Sequence, residues 1–220
     1  MAKNLDKEGL NSIVDNYQLF YIDLWGVVHN GISLHKEAVN VLGEISKKGK
    51  EYILLTNAPR PNSVVKTFLK KMGMEEEIRN HVFTSGEASL NYLRKNLINK
   101  FFFHIGPPRD FDLFHDFKKM KSDNIKNSEY LLCTGLFGDH DKDLKYYNKL
   151  FEDNLKKKMI CTNPDLIVDR GNVRELCAGS VAMVFEKMGG EVVYFGKPYP
   201  EVYHQATNNK NKKVLSIGDN

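Results

Sequence analysis

The sequence predicts an α/β fold with a parallel sheet. Three observations predict it. Short apolar runs alternate with helix-period segments from Leu19 to Ile217. The links between them are short and punctuated by Gly and Pro. Polar residues (Asp23, Thr56-Asn57, Lys197, Asp219) stand where apolar runs end, and ligands of parallel sheets bind beyond the carboxyl ends of the strands.

The elements follow in order. Leu19–Ile22 reads as a strand. His35–Lys48 has helical spacing through Ala38, Val41, Leu42 and Ile45, with Gly49 placed as its C′ residue. Tyr52–Leu55 is a buried-type strand into Thr56-Asn57-Ala58-Pro59. Pro61–Met72 reads as a helix with Val64, Val65, Phe68 and Leu69 on one face, ended by Gly73. Val82-Phe83 is a short strand, and Gly86–Asn96 a helix with Ser85 as N-cap. A second alternating block begins at the strand Phe101–Ile105, closed by Gly106-Pro107-Pro108. Phe111–Met120 reads as a helix, Tyr130–Cys133 as a strand, Asp141–Asn154 as a helix and Met159–Cys161 as a strand. Ser180–Met188 reads as a helix ended by Gly189-Gly190. Val192–Phe195, Glu201–Thr207 and Val214–Ile217 then read as strand, helix and strand.

The 220 residues suffice for one large domain or two small ones, and a domain joint is expected near Asn99. Hydrophobic residues make up 41%, enough for a core, and charged residues 27%. No apolar run approaches the ~18 residues that a membrane span needs. Met1–Asp15 is polar and mixed in charge, so no secretory signal is expected. Three scattered cysteines (Cys133, Cys161, Cys177) fit a reducing cytoplasm better than a disulfide framework. Net charge is +4, carried by Lys-rich runs at 118–121, 156–158 and 210–213. No aromatic or Gly pattern interleaves these runs, so they read as solvated faces rather than a nucleic-acid surface.

The strand-end residues make chemical sense as one set. Burying an ionised carboxylate such as Asp23 at a strand end is costly unless something pairs with it. Asp23 can act as a nucleophile, forming an acyl phosphate. Asp219 can hold Mg²⁺, a hard cation that takes carboxylate and phosphate oxygens. Lys197 can neutralise Asp23 and phosphate oxygens, and the Thr56 hydroxyl can bind the phosphoryl group. Taken singly, Asp23, Thr56-Asn57 and Gly218-Asp219 each read as turn residues, and Lys197 before Pro198 means little. Their order along the chain, each at a strand end, points to phosphoryl transfer.

These motifs resemble those of the haloacid dehalogenase superfamily, subclass IIA, the nucleotidase-like and nitrophenyl-phosphatase-like branch. Asp23-Leu24-Trp25-Gly26-Val27 resembles the first motif and Leu54-Leu55-Thr56-Asn57 the second. Phe195-Gly196-Lys197-Pro198-Tyr199-Pro200-Glu201 resembles the third, and Ile217-Gly218-Asp219-Asn220 opens the fourth. Cys161-Thr162-Asn163-Pro164-Asp165 resembles a signature of the subclass cap. The resemblance implies a Rossmann-like core at 1–98 and 189–220, with an α/β cap of type C2 at 99–188. It implies a phosphatase-type hydrolase with Asp23, Lys197 and Thr56 as catalytic residues. Mg²⁺ would be held by Asp23, Asp219 and the backbone carbonyl of Trp25. Asn57, Arg60, Asn163 and Asp165 would lie near the substrate, a small phosphorylated metabolite. Subclass members often dimerise through the cap, so a homodimer is among the expectations.

Two departures qualify that expectation. Trp25 stands where the family's phosphatases carry the acid/base Asp. An indole N–H only donates and does not titrate usefully, so a Mg²⁺ site with attenuated turnover is expected. His29, as a substitute acid/base or a structural turn residue, stays open with the turn reading preferred. The sequence stops at Asn220, inside the fourth motif, and on this comparison reads as truncated. The alternative function is a catalytically inactive binding or regulatory protein on the same fold, or a truncated pseudo-enzyme.

Overall fold

The computed structural model describes residues 9–170, 173–207 and 211–219. Most of the expected polar N-terminal stretch, Lys210 of the last basic run, and Asn220 lie outside the described residues.

Two short 3₁₀ helices, Leu10–Ser12 and Val14–Asn16, precede β1 (Leu19–Ile22). Helix α1 (Lys36–Lys47) leads to β2 (Glu51–Thr56), and α2 (Asn62–Lys71) and α3 (Glu76–Arg79) lead to β3 (Val82–Thr84). Helix α4 (Ser85–Asn96) follows directly. Then come β4 (Phe102–Ile105), a 3₁₀ segment Pro108–Met120, β5 (Lys121–Ser122), β6 (Tyr130–Cys133), α5 (Leu144–Phe151) and β7 (Lys158–Cys161). Strands β8 (Ile167–Arg170) and β9 (Val173–Leu176) precede α6 (Ala178–Lys187) and β10 (Glu191–Tyr194). Helix α7 (Pro200–Ala206) and β11 (Val214–Ile217) close the described chain.

A four-stranded sheet runs in the order β11-β1-β2-β3 and a five-stranded one in the order β10-β7-β6-β4-β5. Every pairing in both is parallel. β8 and β9 form a separate antiparallel pair. Strands buried on both faces explain the unbroken apolar runs. Phe20, Ile22 and Leu54 pack with Leu42 and Ile45 of α1 and Val65 and Leu69 of α2. Tyr21 and Leu55 point the other way and share a core with Phe102, Tyr130 and Ile160 of the second sheet. The far face of that sheet (Ile105, Leu131, Met159) packs against Tyr147 and Phe151 of α5 and Val181 and Phe185 of α6. One shared core therefore joins the two sheets.

Several expected elements shift. The expected unit boundary at 188 falls before β10, which is hydrogen-bonded to β7 in the second sheet. Gly189-Gly190 is an ordinary α-to-β turn inside that unit, which spans Phe102 to Tyr194. The expected helix Phe111–Met120 is 3₁₀, with non-helical backbone at Phe114 and Phe117. Its aromatic residues at 111, 114 and 117 recur every third residue, the 3₁₀ repeat. The expected helix 141–154 begins only at Leu144, because Asp143 caps it, its Oδ1 accepting from the N–H groups of Lys145 and Tyr146. Thr84, not Ser85, caps α4: its hydroxyl accepts from Glu87 N–H at 2.8 Å, while Ser85 is the first helical residue. Gly49 does follow α1 in the left-handed region, at φ +67°. None of the three cysteines is in a disulfide, and Cys133 and Cys161 are buried. Among the described residues no helix is long and apolar enough to cross a membrane.

Candidate active site

Asp23, Thr56 and Asp219 stand at or just beyond the carboxyl ends of β1, β2 and β11, three adjacent strands of the first sheet. Parallel pairing puts these ends side by side, and Asp23 N–H continues the ladder by donating to Ile217 O at 2.9 Å. Lys197 arrives from the other unit, just after β10. Its Nζ lies 2.7 Å from Asp23 Oδ2, with both side chains mostly buried. Asp23 Oδ1 accepts from Leu24 N–H at 2.7 Å. Both carboxylate oxygens thus have partners, which offsets the desolvation of a charged group at a strand end.

The turn after β1 brings Asp219 in. Gly26 has φ +77°, and a Cβ built on it would collide with Asp219 Oδ2. The fourth-motif carboxylate therefore rests against the backbone just past Trp25. Asp165 also reaches this cluster, because it interacts electrostatically with Asp23, Asp219 and Lys197. Burial pushes the Asp165 carboxyl up, the two carboxylates add to that, and Asn57 and Lys197 oppose it. Among the described residues no group of three or more His, Cys, Asp or Glu is arranged to hold a metal ion. Asp23 and Asp219 form a two-carboxylate set instead.

Thr56 is buried, and its Oγ1 accepts from Ala58 N–H at 3.3 Å, which fixes the loop after β2. Asn57 is buried too, but its amide is occupied. Nδ2 donates to Asp165 Oδ1 at 2.8 Å and to Lys197 O at 3.0 Å, while Oδ1 accepts from Lys197 N–H at 2.7 Å. Arg60 pairs with Asp112 of the 3₁₀ segment at 2.7 Å. It lines a cavity of about 430 Å³ with Ser63, Phe68, Lys71 and Asp112. Asn163 shapes its own loop, its Oδ1 accepting from Asp165 N–H at 3.0 Å. The structure therefore brings Asp23, Lys197, Asp219, Asn57 and Asp165 together and places Arg60 at the wall between the units.

Trp25 lies over Gly31, whose φ is +88°; a Cβ there would sit 2.6 Å from the indole. His29 is buried and packs edge-on to both Trp25 and Phe68. Its Nδ1 accepts from Gly31 N–H at 3.0 Å, and burial pushes its pKa down. These contacts make His29 a neutral turn residue.

Two further residues support the site beyond the expected set. Asp112, the mate of Arg60, carries no motif. Gly196, at φ +128°, is wedged between Asn57 and Pro164, and its place just before Lys197 was the available signal. A second polar cluster lies in the second sheet. His104 Nε2 is 2.8 Å from Thr134 Oγ1, and the Asp110 carboxyl is buried beside them.

The family model for haloacid dehalogenase-like hydrolases matches residues 20–118. No curated protein matches. A haloacid dehalogenase-like hydrolase from Brucella suis 1330 is 29% identical, over 96% of this chain and 80% of its own, with a TM-score of 0.83. A 4-nitrophenylphosphatase from Thermotoga maritima is 21% identical, over 94% of this chain and 80% of its own, with a TM-score of 0.72. A glycerol phosphate phosphatase from Mycobacterium tuberculosis, in complex with magnesium, is 20% identical over 94% of this chain and 64% of its own, TM-score 0.68. The last two establish likeness of fold. Family model, fold and strand-end carboxylates agree: the chain is similar to haloacid dehalogenase-like hydrolases in sequence over residues 20–118 and in fold over nearly its whole length.

Proposed function

We propose that this protein is a Mg²⁺-dependent phosphohydrolase acting on a small phosphorylated metabolite through Asp23. The reading is carried by the 2.7 Å Lys197–Asp23 pair at the sheet end where Asp219 also converges. The phosphatase names of two structural neighbours, one solved with magnesium, support the reaction class. Asp23, Asp219 and the Trp25 carbonyl are all hard oxygen donors, and two carboxylates with substrate oxygens suit Mg²⁺. These residues would hold the ion, which when bound neutralises charge on phosphoryl oxygens.

The chain's own residues then account for the chemistry. An Asp23 carboxylate oxygen attacks phosphorus, the ester P–O bond breaks, and an aspartyl phosphate forms. Water hydrolyses that intermediate, releasing phosphate and regenerating Asp23. Lys197 offsets the negative charge of Asp23 and the phosphoryl oxygens, and Thr56 supplies a hydroxyl beside them. The departing oxygen needs a proton unless it leaves as a stable anion. Trp25 has no titratable group for this, and His29 Nδ1 is engaged by Gly31. Acyl and aryl phosphates are therefore the favoured substrate classes.

The test is phosphate release from an aryl phosphate with Mg²⁺, comparing the parent protein with Asp23→Asn. Loss of release in the variant supports the reading, and equal rates reject it. Trp25 favours one competing reading, a protein that binds phosphate ligands on this fold without turnover. That reading requires inorganic phosphate to bind with Mg²⁺ while no member of a broad phosphate-ester panel is hydrolysed.

A further inference from the structure

We infer that Asn57 is a positioning residue that couples seating of the loop Asn163–Asp165 to placement of Lys197 against the nucleophile. The inference rests on the phosphohydrolase reading of the site and adds how the second unit acts on it. An Asn side chain has two N–H donors and one carbonyl acceptor. Both donors of Asn57 are used, one on Asp165 Oδ1 at 2.8 Å and one on Lys197 O at 3.0 Å. Its carbonyl accepts from Lys197 N–H at 2.7 Å. No donor remains for a substrate, and the residue is only 9% exposed. The same amide thus grips Lys197 by both backbone groups and holds a carboxylate of the second unit.

The grip has a second side. Gly196, at φ +128°, passes so close that a Cβ there would lie 2.6 Å from Pro164 Cδ and 2.7 Å from Asn57 Oδ1. The backbone leading into Lys197 is therefore clamped between a residue of the first sheet and a proline of the second unit. The clamp is anchored below. Gly179 N–H, at the start of α6, donates to Asp165 O at 3.1 Å, and Asn163 Oδ1 accepts from Asp165 N–H at 3.0 Å. Lys197 follows directly on β10 and ends at Asp23, so its backbone belongs to the link between the units while its charge belongs to the site. Displacing the loop removes Pro164 and the Asp165 acceptor together and so loosens the Asn57 amide that holds the Lys197 backbone. A misplacement of about 1 Å in such a charge can lower turnover on the order of 100-fold.

The experiment compares Asn57→Ala, Asn57→Asp, Asp165→Ala, Asp165→Asn and the Asn57→Ala/Asp165→Ala double variant in the full chain. Asn57→Asp keeps the acceptor for Lys197 N–H but cannot donate to Asp165. Two readouts are taken: kcat and KM on an aryl phosphate with Mg²⁺, and affinity for inorganic phosphate with Mg²⁺ from the fluorescence of Trp25, the only tryptophan. Coupling predicts that Asn57→Ala, Asn57→Asp and Asp165→Ala each lower kcat by roughly 10–100-fold, with KM changed less than about 3-fold. Phosphate affinity falls in parallel, and the double variant is no worse than the worse single one. Asp165→Asn keeps an acceptor oxygen and recovers most of the loss. Losses that multiply in the double variant overturn the inference, as does a rise in KM at unchanged kcat, which would mark a direct substrate contact. Asp23→Asn is the control for the reading beneath it. If Asp23→Asn retains full turnover, the phosphohydrolase reading fails, whatever Asn57 does.

Discussion

Lys197 reaches Asp23 from the far side of a unit that separates them by most of the chain, and Nζ settles 2.7 Å from Oδ2. The pair is mostly shielded from water, so removing one partner leaves a poorly solvated charge. Lys197→Ala is expected to lower kcat by about 100–1,000-fold, comparable to removing a preorganised charge-stabilising donor. Lys197→Arg restores charge but not a compact ammonium, and is expected to recover only part of the loss. Steady-state kinetics on an aryl phosphate decide it. A Lys197→Ala enzyme within 3-fold of the parent would remove Lys197 from the site.

Gly26→Ala tests the approach of Asp219. The added Cβ meets Asp219 Oδ2, and the position requires a positive φ of +77°. The backbone term alone costs about 1 kcal/mol. The larger expected effect is displacement of Asp219, weakening Mg²⁺ binding by roughly 10-fold or more. Mg²⁺ titration followed by Trp25 fluorescence reads the affinity, and thermal unfolding reads the backbone cost. Unchanged Mg²⁺ affinity would exclude Asp219 as a ligand.

Legibility in the sequence followed the physics of each feature. β1, β6 and the Tyr52–Leu55 stretch of β2 were readable because the apolar runs are unbroken and mostly buried on both faces. Asp23, Thr56 and Asp219 were readable because each ends such a run. The limit of the second unit was not, since Gly189-Gly190 marks a turn and cannot report which sheet the next strand joins. The 3₁₀ segment was misread because apolar residues three apart also suit an α-helix. The pair β8 and β9 was passed over although Gly171-Asn172 between them is a hairpin signal in sequence. Engagement of Asn57 by Lys197 and Asp165 joins residues more than 100 positions apart, and no local pattern encodes that.

Phe102 is fully buried in the core shared by the two sheets, stacking on Tyr130 and meeting Phe114 and Phe117 edge-on. Phe102→Ala is expected to lower stability by about 3–5 kcal/mol through lost burial and the cavity left behind. Because this core joins both sheets, the loss should appear as one cooperative shift in urea unfolding. Two separated transitions in the parent protein would contradict a shared core.

The buried cluster of the second sheet sets a pH dependence of stability. Burial pushes His104 down to about 3, so the folded protein keeps it neutral while the unfolded chain titrates near 6.5. Below pH 6.5 the unfolded state binds the extra proton, and stability falls as pH drops. Asp110 works in the opposite sense. Burial pushes it up to about 6, so the folded state holds a proton that the unfolded chain loses near 3.8, and stability falls as pH rises through 4–6. His104→Gln should flatten the acid-side loss, by on the order of 3 kcal/mol at pH 4 relative to pH 7. Asp110→Asn should gain relative to the parent as pH rises from 4 to 7. Denaturant unfolding at several pH values checks both signs, and an unchanged profile in His104→Gln would show that His104 is not the acid-sensitive group.

Trp25→Asp addresses the proton that the departing oxygen lacks. In the parent, the indole rests on Gly31 and His29, the indole has no titratable group to offer a leaving oxygen, and His29 Nδ1 is taken by Gly31 N–H. A carboxyl at this position stands two residues from the nucleophile and can titrate. General acid–base catalysis typically contributes about 100–10,000-fold, so turnover of an alkyl phosphate should rise by up to that range. An aryl phosphate, whose leaving oxygen departs as a stable anion, should gain far less. The ratio of the two gains separates proton transfer from a general repair of the site. Removing the indole also opens the space beside Gly31, so unfolding in urea must be compared to exclude a loss of fold. Equal gains on both substrates, or none on either with Mg²⁺ binding intact, would show that proton delivery is not what limits this site.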